Sequence, residues 1–146
     1  MPSAPNTRRA IIDDIRSSKG DCDGLNIYDC GSGWGGLCSK LSKAFPNAQI
    51  TGIEISPIPF LVSYLNPFRR YKIKRHDLFR IDLSQADILV FYLSPYHMDM
   101  VSHKILSEVQ KGTTIYSQGF PIKGWNVSKE MDISLSLEKK LYRYDL

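Results

Sequence analysis

In this 146-residue chain, the residues with the types and spacing to do chemistry are Asp29, Gly31, Gly33, Gly35 and, farther on, Glu54. Residues 27–36 read I-Y-D-C-G-S-G-W-G-G: a short apolar run ends in an acid, glycines follow, and a helix-like pattern begins at once. Glycine suits a backbone that must turn tightly while a ligand approaches without meeting a Cβ. The helix start then offers N–H groups without intrahelical partners to something polar or anionic. A second apolar run, carrying Ile50 and Ile53, ends at Glu54. A carboxylate at the tip of a second strand is where a ribose is gripped. Together these residues predict a nucleoside cofactor.

Gly31, Gly33 and Gly36 also satisfy G-x-G-x-x-G, so a dinucleotide is one reading. Asp29 argues against it. A pyrophosphate at this turn would be repelled by a nearby carboxylate, whereas a sulfonium and an α-amino group would be attracted in a partly desolvated site. The D-x-G-x-G-x-G pattern of Asp29, Gly31, Gly33 and Gly35 resembles the first motif of class I S-adenosylmethionine-dependent methyltransferases.

These residues need a scaffold, and the hydrophobic pattern predicts alternating strands and helices. Ile11, Ile12 and Ile15 share a helical face ahead of a strand over 25–30. Leu37, Leu41 and Phe45 define the first crossover helix, stopped by Pro46 and Asn47. Further strands are expected over 49–55, 71–75, 88–93 and 113–118. Two more helices are expected. Pro57 can open one that runs through Leu61, Val62 and Leu65, although Pro59 confines it to a late start, and the other covers 100–109. Beyond residue 131, alternation over 132–137 and 141–144, interrupted at 138–140, predicts an antiparallel hairpin. The connection over 120–129 is too short for a full helix. The expected fold is α/β: a doubly wound, Rossmann-like class I methyltransferase sheet, mostly parallel with a C-terminal antiparallel hairpin. We expect a single methyltransferase domain over 1–146, with an N-terminal helical segment (1–20), a cofactor-binding core (25–118) and the hairpin (119–146).

Bulk properties agree with a small globular domain. Apolar residues at 42% and charged residues at 23% are ordinary for a soluble protein, and a net charge of +4 is too mild for a dedicated nucleic-acid binder. Cys22, Cys30 and Cys38 have no C-x-x-C spacing and are expected to be reduced. His76, His97 and His103 lack metal-ligand spacing, so no metal is expected. No secretory signal is read, and no apolar run approaches the ~20 residues of a spanning helix. The expectation is a cytoplasmic protein without a membrane partner.

The resemblance narrows when the loops after successive strands are lined up. Asp29-Cys-Gly31-Ser-Gly33, Gly52-Ile-Glu54-Ile-Ser-Pro57, Asp77-Leu-Phe79, Tyr92-Leu-Ser94-Pro95 and Gly119-Phe-Pro121 with Gly124-Trp125 carry it. The chain is similar to a small class I group that includes archaeal broad-range and mitochondrial protein-lysine methyltransferases. That implies S-adenosylmethionine as cofactor, S-adenosylhomocysteine as product and a protein lysine as methyl acceptor. It also implies cofactor contacts at Asp29, Gly31, Ser32, Gly33, Trp34, Glu54, Ile55, Asp77, Leu78, Phe79 and Tyr92. Asp29 would hold the methionine amino group, Glu54 the ribose hydroxyls and Asp77 the adenine amine, beside Leu78 and Phe79. Tyr92, Ser94, Pro95 and Tyr96 lie where the acceptor meets the sulfonium and are the catalytic candidates.

Plainer roles stand beside these. Trp34 either covers the cofactor or packs, Asp77 is a ligand or a helix cap, and Tyr92 is a substrate contact or core filler. Trp125 reads as a packing plug, and the basic cluster of Arg69, Arg70, Lys72, Lys74 and Arg75 as a solvated edge or a contact for an acidic partner. Two other functions compete. Nucleic-acid amino-methyltransferases place Asn- or Asp-Pro-Pro-aromatic after the fourth strand. Leu93-Ser94-Pro95-Tyr96 keeps the last proline and the aromatic but lacks the amine acceptor. A non-catalytic cofactor-binding module working through a partner is the other. The expected partner is a protein substrate, with nucleic acid as the alternative and oligomeric state open.

Overall fold

A computed structural model describes residues 3–133 and 140–146. The elements run α1 (Pro5–Lys19), β1 (Asn26–Cys30), α2 (Gly36–Ala44), β2 (Gln49–Glu54), α3 (Pro57–Tyr64), β3 (Lys72–Arg75), β4 (Ile88–Phe91), α4 (Pro95–Glu108), β5 (Thr114–Gln118), β6 (Lys129–Asp132) and β7 (Lys140–Asp145). The strands form one seven-stranded sheet in the order β3-β2-β1-β4-β5-β7-β6. Strands β1 to β5 are parallel, and β7 pairs antiparallel with both β5 and β6. Register places Cys30 beside Ile53 and Phe91, and Phe91 beside Ser117. The carboxyl ends of β1, β2, β4 and β5 are therefore level. The loops that follow them converge on one edge, at the switch point between β1 and β4 where open α/β sheets bind ligands.

Alternation along the strands feeds two cores. Ile27, Val90 and Tyr116 point to the face covered by α1 and α2, where they meet Ile11, Ile15, Leu37, Leu41 and Phe45. Leu89, Phe91 and Ile115 point to the other face, against Met98, Val101 and Ile105 of α4. Because β4 is buried on both faces, it reads as an unbroken apolar run. Among the described residues, no helix lies between β5 and β6. Instead Ile122 and Trp125 cover that end of the sheet: Trp125 stands edge-on to Tyr144 at 5.8 Å, and the Ile122 N–H donates to the Tyr144 hydroxyl at 2.8 Å. No described helix is long and apolar enough to cross a membrane.

The local boundaries correct several expectations. α3 starts at Pro57 rather than late, because Pro59 sits in the first turn, where N–H groups have no intrahelical partner to lose. For the same reason α4 begins at Pro95, with Ser94 as its N-cap, and not near residue 100. β3 starts at Lys72, where its pairing with Thr51 of β2 begins, while the Tyr71 hydroxyl bonds to that of Ser63 at 2.8 Å. The hairpin's first strand is Lys129–Asp132, upstream of the expected 132–137, and Lys140 belongs to β7 instead of interrupting it. Residues 134–137 of the expected alternation lie outside the described residues.

Asp14 ties the N-terminal helix to the C-terminal strands. Its buried carboxylate accepts from the Tyr116 hydroxyl at 2.7 Å and from Arg143 at 3.2 Å, and it pairs with Lys129. Burial alone would raise its pKa. The hydrogen bonds from Lys129 and Tyr116, with the charges of Lys129 and Arg143, outweigh burial and hold it below the usual carboxylate value. The stabilisation is present above that usual value and is lost as pH falls through the depressed one. Asp14→Asn is expected to cost about 1.5–3 kcal/mol at neutral pH. In thermal melts the gap to wild type should close in acid; a gap that stays constant down to pH 2 would count against this assignment.

Candidate active site

The loop after β1 uses glycine at two positions whose backbone conformation other residues rarely adopt. Gly31 has φ of 91°. Gly35, the N-cap of α2, has φ of 77°, and a Cβ there would collide with the Tyr71 and Ser63 hydroxyls. The loop is tied to β2 by backbone bonds from the Gly31 and Ser32 N–H groups to the Ile53 carbonyl, at 2.9 and 3.0 Å. Glu54 completes the tie: one carboxylate oxygen accepts from Gly33 N–H at 2.8 Å and the other from Ser56 N–H at 2.7 Å. Each oxygen keeps acceptor capacity toward the adjoining cavity.

That cavity measures about 250 Å³ and is lined by Gly31, Ile53, Glu54, Ile55, His76, Asp77, Leu78, Phe79, Leu93 and His97. Its walls are mostly apolar, with carboxylates at two points, a composition suited to a flat base and a sugar. Asp77 heads a tight turn: one oxygen accepts from Phe79 N–H at 2.9 Å, and the other lies 3.8 Å from Arg80. The turn therefore uses Asp77 as a cap while leaving its carboxylate at the cavity wall.

A second, much smaller cavity adjoins Gly31 on the other side. Ser3, Asp29, Ser32, Leu37, Val90, Tyr92 and Gln118 line it with Gly31. Among the described residues, the buried side-chain polar atoms without a hydrogen-bond partner are Ser32 Oγ and Gln118 Nε2, and both residues line this cavity. Native structures rarely leave such atoms unpaired, so a polar occupant is implied. The Asp29 carboxylate accepts from Cys38 Sγ at 3.3 Å. Burial raises its pKa to about 7, opposed by the Cys38 bond and the Arg8 charge and reinforced by the charge of Glu54. An acceptor in need of a cation stands beside two donors in need of an acceptor. These groups match the ammonium and carboxylate of an amino-acid end in chemistry, while the enclosed space itself, about 10 Å³, admits one water-sized group.

The structure brings Asp29, Gly31, Ser32, Tyr92, Glu54, Ile55, Asp77, Leu78 and Phe79 to these two cavities. Gly33 contributes its N–H to Glu54, and Trp34 stands half exposed outside both linings. Ser94, Pro95 and Tyr96 form the start of α4 and line neither cavity. Ser94 Oγ is 2.8 Å from His97 Nδ1, and Tyr96 is exposed, edge-on to His97 at 5.5 Å. Sequence reasoning missed Gln118 and Arg8. Gln118 could have been found as the last residue of the fifth strand, at the level where ligands sit. Arg8 carried no local signal, since its guanidinium reaches Gly36 only through the packing of α1 on α2. Among the described residues, no cluster of His, Cys, Asp and Glu is placed to hold a metal ion.

A glycine loop after β1, an acid ending β2 and strand order 3-2-1-4-5-7-6 define a class I S-adenosylmethionine-dependent methyltransferase. The sequence pattern of the ANTKMT methyltransferase domain matches residues 29–129, and the chain belongs to that family. Over 131 residues it is 25% identical to a protein-lysine N-methyltransferase of Saccharolobus islandicus (strain REY15A), covering 86% of this chain and 81% of that one. An RNA methyltransferase from Salinibacter ruber, solved in complex with S-adenosyl-L-homocysteine, has the same fold, with a TM-score of 0.83 at 22% identity. The match covers 99% of this chain and 93% of that one. The plantazolicin methyltransferase BpumL, also in complex with S-adenosylhomocysteine, aligns with a TM-score of 0.62 at 17% identity, over 77% of this chain and 45% of that one. S-adenosylmethionine is the cofactor of this enzyme.

The raised Asp29 pKa has a consequence for stability. Between the ordinary carboxylate value of about 3.9 and about 7, the folded protein holds a proton that the unfolded chain has released. Stability of the ligand-free protein therefore falls as pH rises across that window. Asp29→Asn removes the buried charge but adds an amide N–H₂ lacking a partner, for a net gain on the order of 2 kcal/mol at pH 8. Melting curves should show that gain shrinking toward pH 4; a variant less stable than wild type at pH 8 would contradict it.

Proposed function

We propose that the chain transfers a methyl group from S-adenosylmethionine to the ε-amine of a protein lysine. The observation that carries this reading is the end of β4, where Leu93 occupies the position at which an Asn or Asp would accept a base amine's hydrogen bond. The neighbouring Ser94 hydroxyl is already engaged with His97. The name of the Saccharolobus relative supports the same acceptor. The Salinibacter likeness, at 22% identity, bears on the fold and not on the substrate.

In this reading Asp29 holds the amino group at the methionine end of the cofactor, and Ser32 and Gln118 hold its carboxylate. Glu54 accepts from the ribose hydroxyls and Asp77 from the adenine amine, with Ile55, Leu78 and Phe79 against the ring. Gly31 lines both cavities, and the place where its Cβ would stand is about 4 Å from the Tyr92 carbonyl oxygen and the Leu93 side chain. That neck, between Gly31 and the end of β4, is where the two halves of the cofactor join. Tyr92 there, with Ser94, Pro95 and Tyr96 at the start of α4, forms the acceptor side. Bound S-adenosylmethionine supplies an electrophilic methyl group on a cationic sulfur.

Methyl transfer is an in-line displacement, so the chain's contribution is positioning more than acid–base strength. A lysine with a pKa of about 10.4 must first lose its proton, which costs about 4 kcal/mol at neutral pH. The apolar Leu93 wall lowers that cost by disfavouring the ammonium.

Three outcomes are expected. Glu54→Ala should weaken S-adenosylhomocysteine binding in calorimetry on the order of tenfold or more, the size of a charge-assisted bond; unchanged affinity would remove Glu54 from the ribose site. With chemistry rate-limiting, activity should climb from pH 7 to 9.5, and a flat profile would exclude lysine deprotonation as the controlling equilibrium. Label transferred from S-adenosylmethionine into a cell lysate should be lost to protease and survive nuclease. The reverse result would make the enzyme a nucleic-acid amino-methyltransferase.

A further inference from the structure

α3 is built inside out. Ile58, Leu61, Val62 and Leu65 follow i, i+3, i+4, i+7 spacing, the pattern of a helix stripe facing a core. Here that stripe faces solvent: Ile58 is 67% exposed, Leu61 51% and Leu65 66%, and Phe68 continues the row at 87%. The side turned inward carries Ser63, bound to Tyr71, and the partly buried Phe60. An exposed apolar row of this length marks an interaction surface.

Its surroundings are cationic. Residues 55–76 contain no Asp or Glu, and Arg69 and Arg70 follow Phe68 directly. Lys43 of α2 joins them around a shallow depression that also holds Pro67 and Phe68. Arg69 lies over the Tyr64 ring at 4.9 Å, which keeps its charge beside the apolar row. Lys72 and Lys74 are exposed on either side of buried Ile73, on the opposite face of β3, and belong to a different surface.

We propose that this face is a peripheral docking surface for an anionic lipid bilayer. Apolar side chains projecting from an exposed helix, with Arg69, Arg70 and Lys43 at its C-terminal end, match an interface that offers acyl chains below and negative headgroups beside them. A second copy is a poor occupant. It would bring Arg69, Arg70 and Lys43 again and, from residues 55–76, no Asp or Glu to pair with them. A lipid surface also needs no shape complementarity to an irregular row. The expectation of no membrane partner rested on the absence of a spanning run, and a peripheral contact needs none. The proposal is independent of which acceptor the enzyme methylates.

The test is co-sedimentation with vesicles of phosphatidylcholine alone and of phosphatidylcholine containing roughly 30% phosphatidylglycerol. Wild type should pellet with the mixed vesicles, less so as salt rises, because headgroup attraction is screened. The triple variant Leu61→Ser, Leu65→Ser, Phe68→Ser and the pair Arg69→Glu, Arg70→Glu should each lower partitioning about tenfold or more. S-adenosylhomocysteine affinity in calorimetry should stay at the wild-type value in both, which shows that they remain folded. Wild type failing to pellet, or pelleting as well as either variant, would overturn the proposal. So would a dimer in sedimentation velocity that the triple variant dissolves, since that assigns the face to a second copy.

Discussion

The site hangs on one carboxylate. Glu54 ends β2, yet its two oxygens hold Gly33 in the loop after β1 and Ser56 at the cap of α3. These bonds fix the glycine loop against the second strand and leave Glu54 buried, facing the larger cavity with its remaining acceptor capacity. The level register of β1, β2 and β4 makes this possible, because it brings Cys30, Ile53 and Phe91 abreast before the chain turns. A carboxylate held by two backbone donors is already oriented before a ligand arrives, so little ordering remains when one binds.

Asp29 illustrates the opposite arrangement. It lies one residue before the end of β1, but its side-chain hydrogen bond is the weak one from the Cys38 thiol, and burial lifts its pKa to about 7. Ser32 and Gln118 stand nearby with polar atoms unpaired. One half of the site is thus satisfied by the protein itself, and the other is left under strain that a charged ligand would relieve. The fold carries this strain because the parallel core beneath, with β4 buried on both faces, and the Asp14 network between α1 and β7 are well paired.

α3 shows how the two ends of one element answer to different constraints. Its first residues are governed by the site, since Ser56 caps the helix and bonds to Glu54. Its outer stripe is exposed among the described residues. A 3.6-residue apolar period specifies that a helix will have an apolar face, but not whether that face meets the protein's own core.

The sequence by itself determined the parallel α/β order and the ligand edge, because glycines with positive φ, chain reversals and acids at strand ends are local requirements. Asp29, Gly31, Glu54 and the 77–79 turn were legible for that reason. Boundaries at Pro57 and Pro95 were misjudged because proline's helix-breaking effect vanishes in a first turn. Tertiary structure alone decided the rest. It brought Gln118 and Arg8 toward Asp29 across long stretches of chain, made Ser94 a cap for α4 rather than a cavity wall, and turned the α3 stripe outward. Those outcomes depend on which surfaces pack together, and packing joins residues whose separation in sequence leaves no periodic trace.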